Sequence, residues 1–195
     1  KAYYMPVGFY TDQYYRSVKV PKFDVTFCGN IKQKADRKKD RRCLFLQPLR
    51  NFKTKVYGDS FVGKLRGIKV APYSTHKKQL DVYSKTKINL DLPFYSSCHE
   101  FYKDRTHIKN RFFEIPASGN FMLTLKCDES LAIYGEDTVG YYEDDPESLK
   151  EQVERYLKDE ALRKKMSRKA YNLVKSNHTF HHRFKKIFKI LKKEM

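Results

Sequence analysis

A chain of 195 residues with 40% hydrophobic content can bury one sizeable core, which excludes disorder throughout. Its formal charge of +18 is unevenly spread: residues 31–55 carry ten Lys or Arg against two Asp, whereas residues 128–147 carry eight acids and no Lys or Arg. A uniform nucleic-acid-binding coat is a poor description of that pattern. Clustered cations point instead to anionic partners at particular faces: a nucleotide diphosphate, an acidic membrane or nucleic acid.

The opening segment, Tyr3 to Tyr10 around Met5-Pro6-Val7-Gly8, has the polar-aromatic character of a connection, so the chain reads as a fragment of something longer. Phe23 to Cys28 is a β-rich run that stops at Gly29-Asn30. About Lys38 to Arg50, charge alternates with Cys43, Leu44, Leu46 and Leu49, which predicts a helix. Lys55 to Tyr57 is a short strand ending at Gly58-Asp59, and Ile68 to Ala71 is another. A short helix over Thr75 to Ser84 and a strand over Lys87 to Leu92 follow. Pro93 to Lys109 has no convincing period and reads as a long loop, a length usually associated with function or mobility.

Asn110 to Ser118 reads as a helix, Gly119 as its stop, and Phe121 to Leu125 as a buried strand. Arg111 and Glu114 are three apart and share one helical face, so a cation and a carboxylate are presented at one place. Arginine neutralises phosphate oxygens, and a carboxylate accepts hydrogen bonds from vicinal hydroxyls; together they suit a diphosphate and a ribose. The plainer alternative is a surface ion pair. An acidic loop and a short strand over Thr138 to Tyr142 come next. Three helices close the chain: one capped by Asp145 with Pro146 in its first turn, one striped by Leu162, Met166, Ala170 and Leu173, and one that Thr179 can cap, striped by Phe180, Phe184, Ile187, Phe188 and Leu191. This order predicts an α/β fold: a Rossmann-like, mostly parallel sheet with helices on both faces and a C-terminal helical segment. Ligands of such sheets bind at the carboxyl ends of strands.

The order D-V-T-F-C-G-N, Y-G-D, K-I-N-L-D-L, R-F-F-E-I-P-A-S-G-N-F-M-L-T, Y-Y-E-D-D-P-E-S-L and H-T-F-H-H-R resembles the C-terminal, donor-binding domain of glycosyltransferases with the two-Rossmann GT-B architecture, in the group-1-like branch that includes CgeB-like enzymes. The resemblance covers nearly the whole chain. It divides the chain into an interdomain linker over 1–22, a nucleotide-sugar donor domain over 23–177 and a basic amphipathic helix over 178–195 that packs on the domain. It implies a hexosyltransferase-like enzyme, retaining, that uses a UDP or GDP sugar without a cofactor or required metal, its acceptor domain lying upstream of this chain.

By position, Glu114 matches the glutamate that binds the donor ribose, and Arg111 the arginine that precedes it and faces the diphosphate. Gly29 and Asn30 match the turn where backbone approaches phosphate, and Gly58-Asp59 the turn near the nucleotide base. Helix N-terminal amides and a basic residue after Gly29 would complete the charge on the diphosphate. Arg41 is the best placed of Lys32, Lys34, Arg37, Lys38 and Arg41. The glutamate that retaining relatives often carry eight residues before the ribose glutamate is here Thr106.

Other candidates carry less. Cys28, Cys43, Cys98 and Cys127 form no C-x-x-C pair, which indicates neither a zinc knuckle nor a disulfide framework and favours a reducing, cytoplasmic compartment. No run approaches the roughly eighteen apolar residues of a membrane span. His178, His181 and His182 lack acidic or cysteine partners at metal-ligand spacing and read as surface histidines, and Cys98-His99-Glu100 has nothing to orient a base. The last helix combines phenylalanines with Lys185, Lys186, Lys189, Lys192 and Lys193, the pattern of a peripheral membrane contact or of core packing. The competing functional class is a basic binding module for nucleic acid or acidic membrane. Its mark would be aromatics interleaved with cations on a groove; here the aromatics mostly follow core periodicity, so a nucleic-acid partner is not expected.

Overall fold

The structure, a computed structural model, describes residues 5–10, 19–29, 41–58, 65–72, 75–93 and 108–194. Among the described residues six strands form one sheet: β1 Phe23–Cys28, β2 Thr54–Tyr57, β3 Lys69–Ala71, β4 Thr86–Leu90, β5 Met122–Leu125 and β6 Gly140–Tyr142. Their order is β3-β2-β1-β4-β5-β6 and every neighbouring pair is parallel. The chain therefore runs outward from β1 to β3, then returns to place β4 on the other side of β1. That reversal makes the β1–β4 boundary the switch point, where connections leave in opposite directions and open a crevice at the strand ends.

Helices cover both faces. They are α1 Arg41–Leu46, continued by a 3-10 turn over Gln47–Asn51, then α2 His76–Ser84, α3 Arg111–Ala117, α4 Asp128–Tyr134, α5 Pro146–Lys158, α6 Glu160–Asn177 and α7 Phe180–Glu194. Side chains alternate along a strand, so Val25, Phe27, Ile88 and Leu90 enter one buried cluster with Phe45 of α1 and Leu149 and Val153 of α5. Cys28 and Met122 enter the opposite cluster with Leu80 of α2 and Phe112, Phe113 and Ile115 of α3. α6 crosses between them: Met166 joins the first cluster, Ala170 and Val174 the second. Both faces of the central strands are thus dry, as an all-parallel sheet requires.

Local chemistry sets the boundaries. Gly119 adopts φ 77°, the left-handed conformation that ends α3 and turns the chain into β5. Asp145 accepts a hydrogen bond from the Ser148 amide at 2.7 Å, and Asp159 one from the Leu162 amide at 2.8 Å, so α5 and α6 each start on a carboxylate cap. The acidic stretch expected as loop contains α4. Its first turn carries Asp128 and Glu129, favourable at a helix N-terminus, and Cys127 and Ser130 cap it reciprocally.

Candidate functional site

Arg111 opens α3 and points into the switch point. Its Nε donates to Asp91 Oδ1 at 2.8 Å, Nη1 to the Cys28 carbonyl at 2.9 Å and Nη2 to the Leu92 carbonyl at 3.0 Å. Cys28 ends β1, and Asp91 and Leu92 follow β4, so one guanidinium ties the helix to both strands that flank the crevice. Asp91 is fully buried and its second oxygen accepts from Thr124 Oγ1 at 3.1 Å, while Tyr142 donates to its backbone carbonyl at 3.1 Å. The Arg111 guanidinium also lies over the Phe27 ring, 4.7 Å from its centroid.

Gly29 fits against this arrangement. A Cβ there would lie 2.8 Å from Phe27 Cζ and 2.9 Å from Arg111 Nη1. Neither neighbour can move away without breaking the packing just described, so this glycine makes room for the arginine. Gly29 donates its amide to Tyr57 O at 2.9 Å, and Gly58 donates to Ala71 O at 2.8 Å; both glycines therefore sit at the carboxyl edge of the sheet, as the sequence predicts.

Glu114, one helical turn beyond Arg111, is buried. It lines a cavity of about 430 Å³ together with Arg111, Asn110, His76, Gln79 and Val7. A ligand entering there meets a carboxylate and an arginine from the same helix face. Burial pushes the nearby Cys28 thiol up to about 12; Arg111 opposes the shift and Glu114 adds to it. The thiol is thus protonated at neutral pH and is not a nucleophile.

Other sequence-based candidates lie elsewhere. The amides of Phe112, Phe113 and Glu114 donate to the Lys109 and Asn110 carbonyls, so the first turn of α3 spends most of its donors within the chain. Arg41 pairs with Asp144, and its guanidinium stands 5.8 Å from the Phe45 ring centroid. The residue beside it, Arg42, is instead the buried one, 2% exposed. Asn30, Lys32, Lys34, Arg37, Lys38, Asp59, Cys98, His99, Glu100, Thr106 and most of the 93–109 loop lie outside the described residues.

Among the described residues no group of His, Cys, Asp and Glu is arranged to hold a metal ion. Nor is His178 a surface histidine. It stacks on Phe113 with ring centroids 5.2 Å apart, and its Nδ1 lies 2.7 Å from Arg183 Nη2. Burial and the Arg183 cation hold it down at about 4.

Asp91 carries the largest role that sequence reasoning left unassigned. The signal was present: one acid in the apolar run Ile88-Asn89-Leu90-Asp91-Leu92 must be paired if that run is buried. His76 and Gln79 gave no such signal, because only the packing of α2 brings them to the cavity.

A parallel sheet in this order, with a cavity at the strand ends beside the switch point, defines a Rossmann-like α/β domain of the GT-B kind. The chain belongs to the glycosyl transferase-like family, whose model matches residues 37–189. No curated protein matches the sequence. Among solved structures, sucrose-phosphate synthase from Thermosynechococcus elongatus is similar with a TM-score of 0.69 and 12% identity, over 97% of this chain and 52% of that one. The C-terminal domain of a group 1 family glycosyl transferase from Francisella tularensis is similar with a TM-score of 0.60 and 13% identity, over 87% of this chain and 97% of that one. An α-glucosyltransferase in complex with UDP-glucose and DNA containing an abasic site gives a TM-score of 0.60 and 15% identity, over 95% of this chain and 54% of that one. At these identities the likeness is one of fold, and this chain spans about half the length of the synthase.

Proposed function

We propose that this chain is the donor-binding half of a retaining glycosyltransferase, taking a nucleotide-diphosphate sugar and passing its glycosyl group to an acceptor held by a second domain. The observation that carries the reading is the burial of Glu114 in the same cavity as Arg111, at the edge where this sheet order opens a crevice. In this proposal Glu114 accepts the two ribose hydroxyls, while Gly29 and the basic stretch after β1 face the diphosphate. Arg111 has three donors committed to Asp91, Cys28 and Leu92, which leaves one hydrogen on each terminal nitrogen. Its role is to hold the crevice in shape and keep a positive charge beneath it, which favours departure of an anionic leaving group. Arg41 contributes less, since Asp144 offsets its charge.

Titrating UDP, GDP and ADP in a thermal-shift assay, with and without EDTA, tests donor binding, because a ligand held only by the folded state raises apparent stability by mass action. A shift with at least one nucleotide, unaffected by EDTA, is expected. Absence of any shift at millimolar nucleotide would move the chain to the class of basic binding modules. Glu114→Gln removes the charge that accepts both hydroxyls and should weaken nucleotide binding roughly ten- to a hundred-fold in calorimetry with circular dichroism unchanged. Unaltered affinity would remove Glu114 from the site.

A further inference from the structure

The motif H-T-F-H-H-R, residues 178–183, is not among the residues that line the Glu114 cavity, yet it touches two of the segments that do. Thr179 pairs with Phe9 in a parallel bridge, and Phe180 donates its amide to Phe9 O at 3.1 Å, so the segment before β1 is fastened to α7 by backbone alone. Arg183 adds a different contact. Its Nε and Nη2 each donate to the Val7 carbonyl at 3.3 Å, and Nη1 donates to the Asn177 carbonyl at 3.4 Å. Nη2 also donates to His178 Nδ1 at 2.7 Å; arginine has no acceptor, so that imidazole carries its hydrogen on Nε2. The guanidinium carbon stands 5.7 Å from the centroid of the Phe113 ring, on which His178 stacks.

Both contacts bear on the cavity. Val7 lines it, and Phe113 is the residue before Glu114 on α3. One guanidinium thus grips the backbone of one wall and the helix of another, which fixes how Val7 and Glu114 stand relative to each other. Fastening the segment does not require this, because the Phe9–Thr179 seam does so without any side chain. Helix formation does not require it either: α7 begins at Phe180, and a cation in its first turn opposes the helix dipole, so contacts must hold Arg183 there. Val7 and Ile108 are the apolar members of a lining that is otherwise polar. They give a sugar or base ring an apolar face to rest on while polar groups take its edge. Building on the donor reading of the Glu114 cavity, we propose that Arg183 is a positioning residue of the nucleotide site: it holds Val7 against the bound nucleoside, in the place that lets Glu114 keep its hydrogen bonds to the ribose.

Calorimetric titration with UDP, GDP and ADP, beside melting curves without nucleotide, tests the assignment. Arg183→Met keeps the stem and removes every donor; it should weaken the best bound of the three nucleotides about five- to ten-fold. Arg183→Lys, whose ammonium still reaches a carbonyl but lacks the fork, should recover part of that loss. Val7→Ala leaves the carbonyl and its hydrogen bonds in place, so it should melt like the parent and bind about three-fold more weakly. Added to Arg183→Met it should cost little more, because the arginine acts through the side chain already trimmed. If Arg183→Met does not fold, Arg183→Lys takes its place in the same cycle. Parent-like affinity in the arginine variant or in Val7→Ala, or fully additive losses in the double variant, would overturn the assignment and leave the donor reading standing. A parent chain that binds none of the three nucleotides would overturn both.

Discussion

Two parts of this molecule break the rule that charge faces water and hydrocarbon hides, and they break it in opposite directions. Between β1 and β4 the chain buries an arginine and an aspartate, with Asp91 fully enclosed and Arg111 7% exposed. Along α7 it leaves three large hydrophobics more than half exposed. The first exception is paired within the fold: Nε and both terminal nitrogens of the guanidinium each donate to a named oxygen, and the second carboxylate oxygen has Thr124. The second has no such partner among the described residues. A satisfied exception reports on architecture, since it fixes where strands and a helix meet; an unsatisfied one reports on something outside the fold.

The sharpest way to break this contrast is to remove one member of the buried pair. Arg111→Leu should cost about 3–5 kcal/mol by leaving Asp91 enclosed and uncompensated, whereas Arg111→Leu with Asp91→Leu should recover much of that loss. Denaturant titration of the four species completes the cycle; a single-variant cost below about 1 kcal/mol would mean the pair does not hold the crevice. Gly29→Ala comes next, at about 1–3 kcal/mol, because the new methyl meets Phe27 and Arg111 at under 3 Å. Its cost should shrink in the Arg111→Leu background, and additivity there would show that the arginine is not what the glycine accommodates.

A smaller effect is expected at the start of α7. His178 is neutral in the folded chain because its proton affinity is held down at about 4, against a usual 6.5. Unfolded chains take up a proton as pH falls below 6.5, so stability is full above that value and declines between 6.5 and 4. Allowing for partial exposure, the loss is about 1 kcal/mol or less. His178→Gln, which can still accept from Arg183, should flatten the profile measured by denaturation at pH 7 and pH 5. Smallest of all, Phe184→Ser/Phe188→Ser should alter stability by no more than about 0.5 kcal/mol. A larger loss would mean that the stripe is packed rather than presented.

Most of the framework was legible in the sequence because its signals are local. β1 falls on the expected residues, and Asp145-Pro146, Asp159 and Gly119 mark helix ends through chemistry that acts within a few positions. α4 was missed because acids that belong in a first helical turn also belong in loops, and seven residues give too few periods to decide. The placement of Arg111, Glu114, Gly29 and Gly58 at the carboxyl edge of the sheet was legible, since a cation, a carboxylate and two strand-ending glycines are visible as types. What Arg111 touches was not legible: Cys28 and Asp91 lie 83 and 20 positions away, and only the crossover that places β4 beside β1 brings them together. The same limit applies to His178, whose ring contact with Phe113 spans 65 positions.

Gly8 and Phe9 rest directly on the start of α7. Phe9 bridges Thr179, and a Cβ on Gly8 would come within 2.8 Å of the Phe180 nitrogen. During synthesis this seam has no second half until residues 179 and 180 have emerged. The sheet, by contrast, can be assembled once β6 is made. A ribosome-bound chain therefore passes through a stage in which the strands are in place while residues 5–9 still lack their dock, and stalling before residue 179 would hold it there. α7, made after every strand of the sheet, is what fixes a segment made before all of them.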